Sequence, residues 1–145
     1  MARIKIDLPG QFSFSTNIPI RITDINYGGH VGNDSILSIM QEARMQYFSK
    51  HGYTELDLGG VGSIMTDVGI EYKNEIFYAD SITVSVTAGD FSKYGFDLFY
   101  KIEKTNTDGN TLVIAKAKTG IVCYDYKIKK IALLPESVQM KLKDQ

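Results

Sequence analysis

The feature that most constrains the fold is a single long helical pattern followed only by two-residue alternation. Between Ser35 and Lys50, apolar residues recur at helical spacing along two adjoining lines: Ile36, Met40, Ala43 and Tyr47 on one, and Leu37, Ile39 and Phe48 on the other. After Ser63, apolar and polar residues alternate at about residues 64–72, 82–87, 96–103 and 113–123. One helix cannot cover such a sheet on both faces. The pattern therefore predicts an α+β fold in which a curled antiparallel sheet wraps around the helix.

Local signals mark both ends of this helix. Asn33 suits the N-cap position, and Asp34 suits the first turn. Lys50 and Gly52 suit the C-terminal end, where we interpret His51 as a charged partner of the helix dipole. The two apolar lines predict that other structure covers most of the helix.

The segments at the two ends of the chain also carry signals. The stretch from Gly10 to Asp24 is typical of a first strand, and Pro19 places that strand at a sheet edge or interrupts it. Near the C-terminus, Pro135 suits a first helical position, and Lys141 and Lys143 suit the end of a short helix.

Composition excludes several classes of protein. A chain of 145 residues with 43% hydrophobic and 23% charged residues predicts one domain with a buried core. The net charge of −1 gives no electrostatic footprint for nucleic acid or an anionic membrane surface. No apolar run is long enough for membrane insertion, and the N-terminus lacks a signal peptide, so we expect a cytoplasmic protein. The single cysteine, Cys123, lies in an apolar alternation, which argues against an internal disulfide and against a nucleophile.

The loop before the helix is richer in polar residues than a connector requires. It reads TDINYGGHVGND from Thr23 to Asp34, with two Asp, two Asn, a His and three Gly. A helix start presents unpaired backbone N–H groups and a partial positive charge. Glycines let the backbone approach a ligand closely. The loop therefore predicts the floor of a binding pocket at the helix start.

Several motifs in this order resemble the hotdog-fold acyl-CoA thioesterases of the 4-hydroxybenzoyl-CoA thioesterase type. The motifs are the loop ITDINYGGHVGND, the helix segment QEAR at Gln41–Arg44, the segment IEYKNEIFYADSITV at Ile70–Val84, and the closing segment KTGIVCYDYKIKKIALLPESV. The likeness runs from about Phe14 to Val138. No single motif is very specific, but their order and spacing together are.

The resemblance implies a hotdog fold, with one long central helix wrapped by a curled five- to six-stranded antiparallel sheet. It implies a homo-oligomer, either a dimer or a dimer of dimers, with the pocket between subunits. It also implies hydrolysis of an acyl-CoA or acyl-carrier-protein thioester, without a metal or other cofactor beyond the coenzyme A of the substrate. In such a site the amides near Asn33 would polarise the thioester carbonyl, because a helix start suits a developing oxyanion.

One departure from the family pattern concerns the catalytic acid. The commonest pattern is Asp-x-Asp, with the second Asp in the catalytic role, whereas this chain has Asp24 followed by Asn26. An amide has no proton-accepting form near neutral pH, so Asn26 cannot be the base. It can still position a water or the carbonyl. A non-hydrolytic module that binds acyl-CoA or acyl-carrier protein is therefore the alternative function. A hotdog hydratase is weaker, because the expected Asp and His spacing is absent.

Three carboxylates are candidates for the base that activates water, and each also has a structural interpretation. Asp24 could instead cap a turn, and Asp34 could only complement the helix dipole. Glu42 lies nine residues past Asn33, about 13 Å along the axis, so it would reach a helix start only across a dimer. Its structural alternative is a buried pair with Arg44 or another cation.

The remaining candidates concern substrate positioning. His30 would orient the carbonyl or a carboxylate, or would only close the turn. Tyr27 would pack on the acyl group or on the sheet. The other substrate-binding candidates are Gly29 and Val31 in the loop and Lys73 and Lys93, which would approach the coenzyme A phosphates unless they are only solvated surface lysines.

Overall fold

The computed structural model describes residues 2–143, which form two helices and six strands. In chain order these are β1 (Phe14–Pro19), α1 (Asn33–Lys50), β2 (Gly62–Tyr72), β3 (Ser81–Gly89), β4 (Gly95–Thr105), β5 (Thr111–Asp125), β6 (Lys130–Ile131) and α2 (Glu136–Lys143). All strand pairs are antiparallel, the sheet order is β1-β3-β4-β5-β2, and β6 pairs with the end of β5. This architecture confirms the predicted α+β fold of one long helix and a five- to six-stranded antiparallel sheet.

The core lies between α1 and the inner face of the sheet. Phe48 of α1 is fully buried, and its ring meets Phe96 of β4 edge to face at 6.4 Å between centroids. The other fully or almost fully buried residues include Met40, Ala43, Tyr47, Val84, Leu98, Tyr100, Ile102 and Ala117. The apolar positions of the strands and those of the helix therefore pack against each other in one core.

A buried polar network crosses this core. Arg44 Nε donates to Glu55 Oε1 at 2.6 Å, and Arg44 Nη1 donates to the hydroxyl of Tyr100 at 3.2 Å. The Tyr100 hydroxyl also lies 2.7 Å from Thr119 Oγ1. Burial raises the pKa of Tyr100, which keeps this hydroxyl neutral. The guanidinium is thus held by a partner outside the helix.

The element boundaries differ from the predictions in three places. The first strand ends at Pro19, since Ile22–Asp24 forms a 3-10 turn rather than more strand. Asn33 is wrong as the N-cap: Gly32 occupies that position with extended backbone, and Asn33 is the first helical residue. The second helix begins at Glu136, one residue after Pro135.

His51 is also wrong as a charged partner of the helix dipole. The residue is buried at the C-cap of α1, and burial lowers the pKa of its imidazole, with Lys50 and Lys141 lowering it further. The neutral ring is therefore favoured there, because a charged ring would lose its hydration among like charges.

Among residues 2–143, one face of α1 has no covering element, and β1 and β2 form the two edges of the sheet. In that part of the chain β1 pairs only with β3, which confirms the edge position predicted from Pro19, and β2 pairs only with β5. The N-terminal segment contacts β2, where the Ile6 N–H donates to Glu71 Oε1 at 3.0 Å. Large apolar side chains are exposed along β2 and α1: Met65, Val68, Tyr72, Leu37 and Met45. The expectation that most of the helix is covered thus holds for only one side of it. No helix in residues 2–143 is long and apolar enough to cross a membrane.

Candidate functional site

The loop before α1 folds back on itself through Asn26. The side-chain Oδ1 of Asn26 accepts the Gly28 N–H at 2.9 Å, and its carbonyl accepts the Gly29 N–H at 3.1 Å. Its own N–H donates to the His30 carbonyl at 2.9 Å. Gly29 has φ of +84°, a conformation that glycine adopts without steric cost. Asn26 therefore holds a compact turn in this structure.

Two backbone hydrogen bonds fix the loop to the rest of the chain. The N–H of buried Val31 donates to the carbonyl of Ile76 at 2.8 Å. The Gly32 N–H donates to the carbonyl of Asp24 at 3.1 Å. These contacts place the start of α1 beside the segment that links β2 to β3.

The start of α1 has no side-chain cap. The Ser35 N–H donates to the Gly32 carbonyl at 3.0 Å, but within residues 2–143 the backbone N–H groups of Asn33 and Asp34 have no acceptor. A Cβ on Gly32 would lie 2.5 Å from Asp34 Oδ1, so glycine allows the Asp34 carboxylate to lie close to this backbone. Two adjacent N–H groups with the positive end of the helix dipole form a site for a polarised oxygen.

A cleft of about 220 Å³ lies at this helix start, and we name it the β2-side cleft. Its walls are formed by His30, Val31, Asn33, Ile36, Tyr72, Lys73, Asn74, Glu75, Ile76 and Ile114. The Tyr72 hydroxyl donates to the Asn33 carbonyl at 3.2 Å, which ties the helix start to β2. Burial, with the nearby Asp34 carboxylate, raises the pKa of Tyr72 and keeps this donor protonated.

His30 and Glu75 stand together in the β2-side cleft. The His30 Nε2 atom lies 3.6 Å from Glu75 Oε1, and its Nδ1 lies 3.1 Å from the Val31 carbonyl oxygen. The imidazole thus spans the loop and the β2–β3 connection. These distances fit both interpretations of His30, the orientation of a carboxylate and the closing of the turn, and its role stays a prediction.

A second cleft, of about 400 Å³, flanks the other side of α1, and we name it the β1-side cleft. It contains Asp24 and Glu42. Asp24 is buried, and its carboxylate accepts the backbone N–H of Arg21 at 2.8 Å, as the turn-capping interpretation predicts. The larger cleft therefore holds a carboxylate already engaged by its own chain.

Glu42 is exposed and accepts a hydrogen bond from Gln46 Nε2 at 2.8 Å. The interpretation of Glu42 as the buried partner of Arg44 is wrong, because Glu55 holds that guanidinium.

The structure separates some of the remaining predicted residues. Lys73 lines the β2-side cleft, where its Nζ lies 2.6 Å from Glu71. Lys93 lies at the other end of the sheet, where its carbonyl accepts the Leu134 N–H. Tyr27 is fully exposed, so it does not pack on the sheet of its own chain. Burial raises the pKa of the Cys123 thiol to about 11, so the inert interpretation of Cys123 fits its surroundings.

Sequence reasoning did not single out Tyr72, Asn74 and Glu75 as site residues. Tyr72 ends β2, and Asn74 and Glu75 come just after it. The sequence distinguishes them only as members of the longer segment Ile70–Val84. Their place in the cleft depends on the contact between Val31 and Ile76, which are 45 positions apart. No local pattern reports a contact of that sequence separation.

Comparisons with known proteins agree with this architecture. A family model described as the thioesterase-like superfamily matches residues 20–142. A 1,4-dihydroxy-2-naphthoyl-CoA hydrolase from Microcystis aeruginosa is 29% identical over 123 residues, which are 83% of this chain and 86% of that protein.

Solved structures give the same result. The 4-hydroxybenzoyl-CoA thioesterase from Pseudomonas sp. strain CBS-3 superposes with a TM-score of 0.79 at 16% identity, over 90% of this chain and 99% of that one. A 1,4-dihydroxy-2-naphthoyl-CoA thioesterase from Synechocystis gives a TM-score of 0.78 at 21% identity, over 90% and 96% of the two chains. The region that the family model matches includes strands β2 to β6, α1 and the loop before it. The chain therefore belongs to the thioesterase-like superfamily, and its fold is the hotdog fold.

Proposed function

We propose that this protein hydrolyses acyl-CoA thioesters at the start of α1, with the Asn33 N–H polarising the carbonyl. The observation that carries the proposal is the helix start itself, where the Asn33 and Asp34 N–H groups find no acceptor in residues 2–143 and Asn33 lines the β2-side cleft. The relatives reported above are hydrolases or thioesterases of CoA esters. Their names favour hydrolysis over the non-hydrolytic binding module.

The reaction needs a donor for the oxyanion and a base for water. As water adds to the carbonyl carbon, negative charge grows on the carbonyl oxygen, and a preorganised N–H at a helix start stabilises that charge. A carboxylate accepts one proton from the attacking water. The C–S bond then breaks, the protonated carboxyl group gives its proton to the departing thiolate, and the free acid and the thiol leave. No group on the protein needs to become covalently attached to the acyl chain.

Glu42 of a second copy of this chain is the carboxylate that we propose as the base. Within one chain Glu42 lies about 13 Å along the helix from Asn33. It is not committed to Arg44, and it lies on the exposed face of α1. An antiparallel partner helix would bring its Glu42 towards the Asn33 of the first chain. Asp24 is less suitable, because its carboxylate already accepts the backbone N–H of Arg21.

The proposed second copy would cover the open β2 edge and the exposed face of α1. Met65, Val68 and Tyr72 are 46%, 40% and 48% exposed on that edge strand, and Leu37 and Met45 are exposed on the adjacent helix face. An exposed edge strand beside apolar side chains is a typical interface between copies of a chain. We propose a homodimer of this kind as the smallest active unit, whether or not dimers pair further.

The β2-side cleft suggests how the rest of the substrate is held. Lys73 is its one lysine and would approach a coenzyme A phosphate, whereas Lys93 is remote within the same chain. The relatives' names support a CoA thioester rather than an acyl-carrier-protein thioester, and aromatic acyl groups are the first to assay. We propose a cytoplasmic location, because the one cysteine is buried and unpaired.

Replacing Asn33 with Pro tests the polarising N–H directly. Proline is well tolerated at the first helical position, and Gly32 already has the extended backbone that precedes proline. Asn33→Pro therefore removes one N–H while it keeps the helix. We expect kcat towards benzoyl-type CoA esters to fall about 10²- to 10³-fold. Asn33→Ala, which keeps the N–H, is the matched control. Equal activities of the two variants, each folded by circular dichroism, would refute the proposal.

Complementation tests the origin of the base. Asn33→Pro and Glu42→Gln homodimers should both be nearly inactive. A mixture refolded together contains dimers in which one site has both native groups, if Glu42 acts across the interface. Random pairing should then restore about a quarter of the native rate. Absence of recovery, with mixed dimers shown by native mass spectrometry, would place Glu42 outside the partner's site.

A further inference from the structure

A basic hairpin lies at the end of the molecule remote from the helix start. We define it as residues 125–131, the end of β5, the turn and β6. Lys127, Lys129 and Lys130 are all exposed, and none has an ion-pair partner in the part of the chain that the structure describes. Ile128 stands between them with 63% of its surface exposed.

Apolar side chains continue from the hairpin along the outer face of the sheet. Ile131 pairs with Tyr124, the neighbour of buried Cys123, so Ile131 lies on the face opposite the core. Ile131 and Leu133 are 59% and 57% exposed. Three large aliphatic side chains are therefore exposed next to three lysines, an arrangement that isolated surface residues do not explain.

The turn of the hairpin is held in one conformation. Asp125 Oδ1 accepts the backbone N–H groups of Lys127 and Ile128 at 2.9 and 3.3 Å. Lys129 has φ of +55°, which closes the turn. The hairpin has three lysines and one acid, Asp125, which pairs opposite Lys130, and no further acid follows as far as Leu133, so a net charge of +2 remains. The hairpin thus presents Ile128 and its lysines at low entropic cost.

We propose that the basic hairpin docks this protein on an anionic lipid surface. Ile128, Ile131 and Leu133 would enter the boundary between head groups and acyl chains, while the lysine stems extend to the phosphates. The net charge of −1 gives the whole chain no footprint for an anionic surface, but it does not oppose a local contact through the hairpin, because charges more than about 8 Å apart are screened at physiological salt. Such contact is peripheral and needs no membrane-spanning helix.

A second copy of the chain fits this surface less well. In a two-fold symmetric contact centred on the hairpin, the lysines of one copy would meet those of the other. Docking on lipid also leaves the proposed active site open. Ile114, in the β2-side cleft, and Asp125, in the hairpin, are 11 residues apart on β5, which is about 36 Å of strand.

Vesicle flotation tests the proposal with the full chain. We expect binding to phosphatidylcholine vesicles that contain ~30% phosphatidylglycerol at low salt, and loss of binding at ~0.5 M salt or on pure phosphatidylcholine. Changing Lys127, Lys129 and Lys130 together to Gln should weaken binding roughly 100-fold. Ile128→Ser should weaken it about 10-fold.

A matched control carries the same change of charge elsewhere. Lys5→Gln, Lys101→Gln and Lys116→Gln together remove three lysines outside the hairpin, and that variant should float like the native protein. Equal flotation of the two triple variants, or no binding of the native protein at low salt, would overturn the proposal. A change of molecular mass by light scattering in the hairpin variant, without native flotation, would instead assign the surface to a contact between copies.

Discussion

The two ends of helix α1 differ in whether their free backbone hydrogen-bonding groups find partners within the chain. At its C-terminal end the Phe48 carbonyl accepts the N–H groups of His51 and Tyr53, and the His51 carbonyl accepts Lys141 Nζ at 2.6 Å. At its start the N–H groups of Asn33 and Asp34 have no acceptor in residues 2–143, and no side chain caps them. One end is closed by its own chain, and the other is open to a ligand.

This difference teaches that free hydrogen-bonding capacity, rather than the size of a cleft, identifies the site. The larger β1-side cleft holds Asp24, a carboxylate already bound to the backbone of Arg21. The smaller β2-side cleft is lined by Asn33, one of the two residues whose N–H groups are open. Changes to buried residues in the C-terminal half of α1 should therefore alter stability, and changes at its start should alter activity.

The largest expected effect lies in the closed half. Phe48 is fully buried, and its ring packs against Tyr47 and Phe96. Phe48→Ala should lower the free energy of unfolding by about 3–5 kcal/mol, because it leaves a cavity in the core. Phe48→Leu should cost less than half of that. Urea denaturation at fixed protein concentration measures both. If Phe48→Ala lowered kcat per folded molecule as much as Asn33→Pro does, the two ends of α1 would not differ in their effect on activity.

The Arg44 network should give the next largest effect. Arg44→Ala leaves Glu55 without its cation and Tyr100 without one donor, and we expect a loss of about 2–3 kcal/mol. This loss in the free energy of unfolding is small for a broken buried ion pair, because the Glu55 side chain is 31% exposed and can be hydrated. Arg44→Met, which refills the space, should lose less. Identical unfolding midpoints for Arg44→Ala and the native protein would show that the network contributes nothing.

A smaller effect, on activity rather than stability, is expected at the open end. Tyr72→Phe removes only the hydroxyl that donates to the Asn33 carbonyl. Because Tyr72 is about half exposed, water can replace this hydrogen bond, and unfolding should change by less than about 1 kcal/mol. A less fixed helix start should still lower kcat about 3- to 10-fold with little change in KM. Unchanged kcat would show that the helix start needs no support from β2.

The sequence predicted the closed half of the molecule better than the open half. The buried positions of α1 and of the sheet can be predicted from the spacing of apolar residues. Residues such as Met40 and Val84 are buried because they lie on the apolar face of their helix or strand. The N-cap was placed at Asn33 rather than Gly32 because a capping side chain is the commoner solution. An uncapped start has no such signal.

Partners from distant segments were the other feature that the sequence did not predict. Arg44 binds Glu55, 11 residues away, instead of its neighbour Glu42 in the motif. Glu75 reaches His30 only because the Val31 N–H binds Ile76. The roles predicted for the loop residues stay predictions until they are assayed, because their function depends on a substrate and a second chain.

The smallest effect should appear as a pH dependence at the closed end. His51 is buried, and its Nε2 atom has no hydrogen-bond partner among the residues that the structure describes. Burial, with Lys50 and Lys141, lowers the pKa of His51 below the usual 6.5. The unfolded chain therefore takes up a proton at higher pH than the folded one. The stability contributed by neutral His51 is fully present above about pH 6.5 and declines as the pH falls towards the lowered pKa. Urea midpoints between pH 7.5 and 5.5 should decrease for the native protein and for His30→Asn, but less for His51→Phe. Since the chain has only these two histidines, an equal slope in His51→Phe would assign the proton uptake to another group.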